Sequence, residues 1–341
     1  MTTKNWSTDS NFVFTFVFSI GNVGQIITEY GGLSNPPLAL FFIFFTENIY
    51  HFMNFDTLSL TDPKYLLPTP KMPVMFVGHG SPMNAIEDNE FRRTWQKIGA
   101  YFGDNARWPK PQLILCISAH WLTRGWGLTA MQNPPTIHDF GGFPAELHAQ
   151  QYPAPGSPEL AKLIAGMLKQ PENGFGTGEN LQLDHSEWGF DHGTWSVLKP
   201  MFPLASIPVI QMSIDYNAKM QSHFELGVQL RKLRQLGVLI VGSGNTVHNL
   251  RSMIRSADNT EAFDWNKRFD DWVGECIDTG NLAKLAEFQS LGEDALLAHP
   301  SYEHFLPILY TAGAVVEGDQ IEYFNKTYQA KSVAMRSVLW H

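Results

Sequence analysis

The chain has 341 residues and a formal net charge of −9, with its Lys and Arg residues scattered rather than clustered. That length suits one large domain or two modest ones, and the lack of a basic patch argues against a nucleic-acid surface. The two cysteines, Cys116 and Cys276, stand far apart and outside any CxxC spacing, which argues against a disulfide scaffold and suits a reducing, cytoplasmic setting.

Residues 1–70 differ from the rest. Aromatic-rich apolar runs at 12–20 and 38–45 are separated by Gly-Gly and Asn-Pro-Pro. Each falls short of the roughly 20 residues a helix needs to span a bilayer, and neither precedes the small-residue cleavage pattern of a secretory signal. Two readings stand open: a membrane hairpin or anchor, and an extension outside the folded unit arising from a start codon placed upstream of a true start at Met53. The expectation is that 1–70 stands outside the folded domain. Residues 71–341 form that domain, with no membrane contact expected of it.

Residues 74–77, Val-Met-Phe-Val, predict a buried strand running straight into Gly78-His79-Gly80-Ser81-Pro82. Over 87–101, Phe91, Trp95, Ile98 and Phe102 recur at helical spacing. Residues 113–118 predict a second apolar strand, with Cys116 as a buried thiol, ending in Ser118-Ala119-His120-Trp121. A third strand is expected over 125–131. The Pro/Gly-rich passage 133–156, which carries His138 and Asp139, is a loop long enough to expect a function. Ser157 as N-cap and Pro158 at the first helical position open a helix to about 170. Trp188 to Trp195 bring a Gly-flanked His192 behind Asp191 and lead into a helix to Met201. A strand follows at 208–214, then an amphipathic helix at 220–236 and a strand at 238–241. That strand ends in Gly242-Ser243-Gly244-Asn245-Thr246-Val247-His248-Asn249. Helices are expected over 260–279 and 282–297, another begins near 301, and 332–340 predicts a final strand. This alternation predicts an α/β fold: a mostly parallel or mixed central sheet with helices on both faces.

Three apolar strands thus deliver His79, His120 and His248 near their ends, where open α/β sheets place ligands. If the strands are neighbours, the imidazoles meet at one sheet edge. Neutral imidazole binds zinc and iron alike, and His304 is a fourth candidate. The alternative is that each is a hydrogen-bonded structural histidine. His192, in a loop, suits a proton donor and acceptor near pH 7. His138 either faces substrate or pins its loop to a carbonyl, and His299 is a candidate support for the ligands. No GxGxxG follows a strand and no Walker A sequence is present. Gly-His-Gly-Ser-Pro is not GxSxG, and Pro82 removes an N–H that an oxyanion would use.

The motifs at 78–83, 118–121, 134–144, 152–156, 188–195, 242–250 and 303–307 resemble, in order, those of the 4,5-DOPA extradiol dioxygenase family. That family lies within the class III, LigB-like extradiol ring-cleavage dioxygenases, and the resemblance covers about residues 72–341. It implies a mononuclear metal in a pocket at one sheet edge, with His79, His120, His248 and His304 as metal-site residues and His192 as acid/base. Ser81, His138, Asp191 and Asn249, within the matched stretches, become substrate-contacting or supporting residues. The implied partners are a DOPA-like catechol and O₂, both oxygen atoms entering a muconic-semialdehyde-type product. The implied cofactor is one divalent metal, Fe(II) for activity, with Zn(II) as the alternative occupant. Better-known class III enzymes pair two His with one carboxylate. Here the candidates are all His, and Glu303 is the only carboxylate immediately beside one. A zinc hydrolase on the same fold and a non-catalytic metal-binding protein are the alternatives.

Overall fold

The computed structural model describes residues 12–20, 23–31, 65–172 and 176–341. The chain divides into two compact units, Met1–Leu58 and Ser59–His341. In the first, β1 (Phe12–Ile20) pairs antiparallel with β2 (Val23–Gly31). The run at 38–45 and Met53 lie outside the described residues. No helix among the described residues is long and apolar enough to cross a membrane.

The second unit is built on β3 (Val74–Gly78), β4 (Leu113–Thr123), β5 (Gly127–Thr129), β6 (Gln182–Asp184), β7 (Val209–Asp215), β8 (Val238–Gly244), β9 (Val247–His248), β10 (Ile321–Phe324), β11 (Tyr328–Gln329), β12 (Val333–Ala334) and β13 (Ser337–Trp340). Its helices are α1 (Glu90–Gly99), α2 (Ala145–His148), α3 (Pro158–Met167), α4 (His192–Met201), α5 (Met220–Leu230), α6 (Asp264–Asp278), α7 (Glu293–Ala298) and α8 (Leu306–Gly313). The central sheet runs β10-β13-β3-β8-β4-β7-β5-β6, and a small sheet runs β11-β12-β9. β3, β8, β4 and β7 are parallel neighbours, flanked by antiparallel pairings of β13 with β3 and of β5 with β7. The sheet is therefore mixed, with a parallel centre.

The parallel strands are continuous apolar runs because both their faces are covered. Successive side chains alternate between faces. Val74, Phe76, Leu113, Leu115, Ile117, Val238 and Ile240 pack in one core with α3, α5, α6 and α8. Met75, Val77, Ile114, Cys116, Leu239 and Val241 pack in the other with α1 and α4. Both cysteines are free thiols, and both are buried. The expected cap of α3 is present: Ser157 Oγ accepts from Leu160 N–H at 3.3 Å, with Pro158 next.

Three expectations change. The helix expected over 282–297 breaks at Gly292, whose φ of 61° interrupts it between a turn-wound segment, Leu282–Leu291, and α7. The final strand splits into β12 and β13. Arg336, between them, forms a two-pronged pair with buried Asp270, at 2.9 and 2.8 Å, instead of continuing a ladder. β6 and β10 are strands that the short segments 182–184 and 321–324 did not announce.

Candidate metal centre

The register of the parallel strands puts their carboxyl ends level: Gly78 lies beside Gly244, and Ser118 beside Ser243. His79 follows β3 directly, its N–H donating to Gly244 O at 2.9 Å. Gly80 then takes a left-handed φ of 57° that disfavours a side chain, turning the chain into a short helical turn, Pro82–Ala85. His120 arrives differently. β4 does not end at 118 but continues to Thr123, and its register against β7 jumps between Ile117 and Leu122. Such an irregularity re-aims side chains, and His120 rides on it. His304 precedes α8, and its carbonyl accepts from Asn245 N at 2.8 Å. A Cβ on Gly244 would lie 2.2 Å from that oxygen, so the tip of β8 needs glycine to meet this backbone.

The three rings converge. His79 Nε2 and His120 Nε2 are 3.5 Å apart, and the donor nitrogens of His79, His120 and His304 all lie within 4.8 Å of one another. Each ring turns Nδ1 to an acceptor. Ser243 Oγ is 3.0 Å from His79 Nδ1 and gives its own proton to Gly193 O at 2.5 Å, so it accepts from His79. His120 Nδ1 is 3.3 Å from Asp139 Oδ2, and His304 Nδ1 is 3.2 Å from Glu303 Oε1. Outward-held Nδ1–H groups are how ligating imidazoles are oriented, and they leave the Nε2 lone pairs facing inward. A tetrahedral site with metal–nitrogen bonds of about 2.0–2.1 Å separates its donors by roughly 3.4 Å, close to the spacing of His79 and His120. Burial, foremost, lowers all three imidazoles well below their ordinary value. Neighbouring histidines add to this, and at His120 the Asp139 carboxylate opposes it. The rings stay neutral, as ligands must. The residues present therefore fit a divalent cation.

His248 belongs not to β8 but to β9, paired with β12. Its ring stacks flat on His304, centroids 3.5 Å apart at 7°, and it is outside the groups whose donor atoms come within 4.8 Å. Burial, then His299 and His192, pull its pKa down to about 3.

His192 lies at the first position of α4 rather than in a loop, with its ring centroid 3.9 Å from that of His120 and 5.8 Å from that of His79. Asp191 caps α4. Its Oδ1 accepts from Ser118 Oγ at 2.6 Å and Thr194 N–H at 3.1 Å, and its Oδ2 from Trp188 Nε1 at 3.2 Å and from Gln211 Nε2. Burial and the Asp139 charge push this carboxyl up to about 6, against the pull of Ser118, His192 and Gln211. Because Ser118 Oγ also accepts from His120 N–H at 3.3 Å, Asp191 ties His120 and His192 to one point. Gly193 completes the approach: a Cβ there would meet Ser118 Oγ at 2.4 Å and His120 Cδ2 at 2.9 Å.

The other candidates are committed elsewhere. His138 Nε2 donates to Gln150 O at 2.9 Å, pinning its loop. Ser81 Oγ accepts from Met83 N–H at 3.3 Å as a cap. Asn249 accepts from Arg251 and Ser252 N–H and donates to Leu297 O at 2.7 Å. His299 Nε2 donates to Thr246 O at 2.8 Å in an aromatic box that includes Phe269 and Phe305. Glu303 serves His304 by orientation.

Sequence reasoning passed over Asp139. Its carboxylate reaches His192 Nδ1 at 3.0 Å, His192 N–H at 2.9 Å and His120 Nδ1 at 3.3 Å. Burial raises its pKa, but the His192 hydrogen bond and the two imidazoles outweigh that and hold it at about 2. The signal in the sequence is the His138-Asp139 dipeptide, in which the histidine is the more conspicuous candidate. Ser243, hidden in Gly-Ser-Gly, was also passed over. Phe140 sets its ring edge-on to His192, centroids 5.5 Å apart.

Comparison with known proteins is consistent with this geometry. Residues 73–336 match the family model described as the catalytic LigB subunit of aromatic ring-opening dioxygenase. The 4,5-DOPA dioxygenase extradiol of Escherichia coli strain K12 is 43% identical over 251 residues, 73% of this chain and 87% of that protein. Its counterpart of the same name from Beta vulgaris is 34% identical over 258 residues, covering 74% and 90%. The crystal structure of an uncharacterized protein from Escherichia coli K12 superposes with a TM-score of 0.64 at 38% identity, covering 79% of this chain and 99% of that one.

Proposed function

The chain belongs to the LigB family of aromatic ring-opening dioxygenases, and from that membership we propose that it opens the ring of a DOPA-like catechol beside its two hydroxyls. Both atoms of O₂ enter a muconic-semialdehyde-type product, so no further reductant is consumed. The observation that carries the proposal is the inward convergence of His79, His120 and His304, each with Nδ1 beside an acceptor, next to a fourth imidazole, His192, that is free of that set.

In this reading His79, His120 and His304 hold the metal, and His248, stacked on His304, completes the imidazole wall. The metal, when bound, supplies a Lewis acid for the catechol oxygens and, as Fe(II), the electrons that make reaction with O₂ spin-allowed. The chain does the rest. His192 takes the proton of a substrate hydroxyl on Nε2, the nitrogen remote from Asp139, and later returns it to a departing oxygen, as general acid/base groups do at near-neutral pH. Asp191 and Gly193 fix where that nitrogen stands. Phe140 covers the outer side of His192 and helps keep bulk water from it. Ser81, His138 and Asn249 act by holding the loops around the pocket.

The test is anaerobic loading with Fe(II), then admission of O₂ with a panel of catechols including DOPA. A yellow ring-fission product with stoichiometric O₂ uptake is expected, and no uptake with any catechol refutes the proposal. The all-nitrogen donor set also suits zinc, so hydrolysis of ester or amide substrates by the zinc-loaded protein, without catechol oxidation by the iron-loaded one, would establish the hydrolase alternative.

A further inference from the structure

We propose that Asp139 is a positioning residue that sets two tautomers at once: its single carboxylate lies beside Nδ1 of His120 and of His192 and favours a proton on each, leaving Nε2 of the first for the metal and Nε2 of the second for the substrate's proton. The proposal rests on the functional reading above for what the two Nε2 atoms then do. The tautomers themselves rest on where the carboxylate lies.

The two oxygens of Asp139 are divided between the rings. Oδ1 lies 3.0 Å from His192 Nδ1 and accepts the His192 backbone N–H at 2.9 Å, while Oδ2 lies 3.3 Å from His120 Nδ1. Neither ring nitrogen aims squarely at the carboxylate, and His192 Nδ1 has no hydrogen-bond partner, so the coupling is electrostatic: beside an anion that accepts and never donates, an N–H is favoured over a lone pair. A neutral imidazole has one such proton, so Nε2 of each ring is left as a bare lone pair. For His120 that lone pair points where His79 Nε2 also points, 3.5 Å away. For His192 it is the atom able to accept a proton, and the imidazolium then formed lies beside the same carboxylate. Asp139 belongs to the long Pro/Gly loop, yet its side chain is only 18% exposed. The loop is moored just before Asp139, by Ile137 N–H to Phe190 O at 2.8 Å, by Trp195 Nε1 to Ile137 O at 2.9 Å and by His138 to Gln150 O at 2.9 Å. Gly141 and Gly142 follow, where an added Cβ would meet nothing within 4 Å. The moored part of the loop is therefore the part that carries the carboxylate.

The same three side chains also have donor atoms within 4.8 Å of one another, so a second cation held by Asp139 is the competing use of this geometry. The two uses differ in protonation: a cation there requires bare Nδ1 atoms, whereas the positioning role requires Nδ1–H.

The test is long-range proton–nitrogen correlation NMR on metal-free protein labelled with ¹⁵N-histidine, with Asp139→Asn and Asp139→Glu beside the wild type. The wild type is expected to show protonated Nδ1 and bare Nε2 for both His120 and His192. Asn keeps the shape but offers one acceptor oxygen and one NH₂ donor, so one of the two rings must move its proton to Nε2. Glu keeps two acceptors and restores both. In iron-loaded protein the Asn change lowers kcat on the order of 10²- to 10⁴-fold with little change in KM where His192 is the ring that switches. It weakens metal binding about 10- to 100-fold where His120 switches. Protonated Nε2 on either wild-type ring overturns the proposal. So do tautomers and kcat that are unchanged in Asp139→Asn, and so does a second metal per chain that depends on Asp139. The wild-type spectrum alone decides the tautomers, even should the Asn chain fail to fold. Because that readout involves no catechol, the expected tautomers in a protein that cleaves no catechol would refute the proposed function and leave this inference standing.

Discussion

Asp191→Asn tests the cap that ties the acid/base histidine to the metal-facing strand. The substitution conserves shape and keeps one oxygen, so the α4 cap to Thr194 and the bond from Ser118 survive with that oxygen at the Oδ1 position. The new NH₂ then faces two donors, Trp188 Nε1–H and Gln211 Nε2–H. Trp188 is held in place by stacking on Trp121. Gln211 can reverse its amide, but its Oε1 then leaves Thr194 Oγ1, now 2.7 Å away, and Asp191 N–H, 3.3 Å away. One hydrogen bond to a charged group is lost at each residue, and such bonds contribute about 1.5–3 kcal/mol apiece. Gln211 is fully buried, so no water replaces its bond, whereas solvent can reach half-buried Trp188. The expected cost is about 2–6 kcal/mol. Urea unfolding of metal-free protein at pH 7.5, followed by circular dichroism, measures it as a fall in midpoint at constant slope. A change under about 1 kcal/mol would mean that the four-donor arrangement does not hold the helix start, and the account of how His192 is placed would fall with it.

Gly193→Ala drives a methyl into Ser118 Oγ and His120 Cδ2. It is expected to destabilise the fold by about 1–3 kcal/mol and to weaken metal binding about 10- to 100-fold, and an unchanged affinity in chelator competition would count against the placement of His120. Arg336→Ala leaves buried Asp270 without its two-pronged partner, at a cost of about 3–5 kcal/mol readable by thermal unfolding. Stability should also fall in acid. Burial holds His223 at about 3 and His299 at about 4, both depressed below the unfolded value near 6.5. The neutral rings' contribution is therefore fully present above pH 6.5 and is lost as pH falls toward 4 for His299 and 3 for His223. Each contributes a slope of about 1.4 kcal/mol per pH unit within its window. His223→Gln should flatten the slope by one proton's worth, and an unaltered slope would show that His223 is protonated in the fold.

Much of the molecule was legible along the chain because the signals are local. Unbroken apolar runs at 74–77, 113–118 and 238–241 announce strands buried on both faces, and Ser157-Pro158 announces a helix start. Glycines beside His79 and His192 announce backbone that has to turn or to touch something. These features identified the α/β class and four of the histidines now found together. Length and sequence distance limited the rest. β6 and β10 are too short to show a period, and whether 332–340 is one strand or two depends on Asp270, far away in the chain.

The site itself divides along the same line. Sequence alone placed His79 and His120 at the ends of apolar strands and His192 behind Asp191 in a loop, and the structure made that Asp the cap of α4. Only the tertiary structure decided that β8 inserts between β3 and β4, so that Gly78, Ser118 and their histidines come level. It also decided that an irregular register, rather than a strand end, aims His120, and that His248 stacks on His304 from a separate small sheet. In the His138-Asp139 dipeptide, the histidine faces a carbonyl and the aspartate lies between two imidazoles. Residue type and spacing determine which groups are available, because they act through neighbours in the chain. Which nitrogen carries a proton depends on an acceptor delivered by another strand or loop, and that is settled only when the sheet assembles.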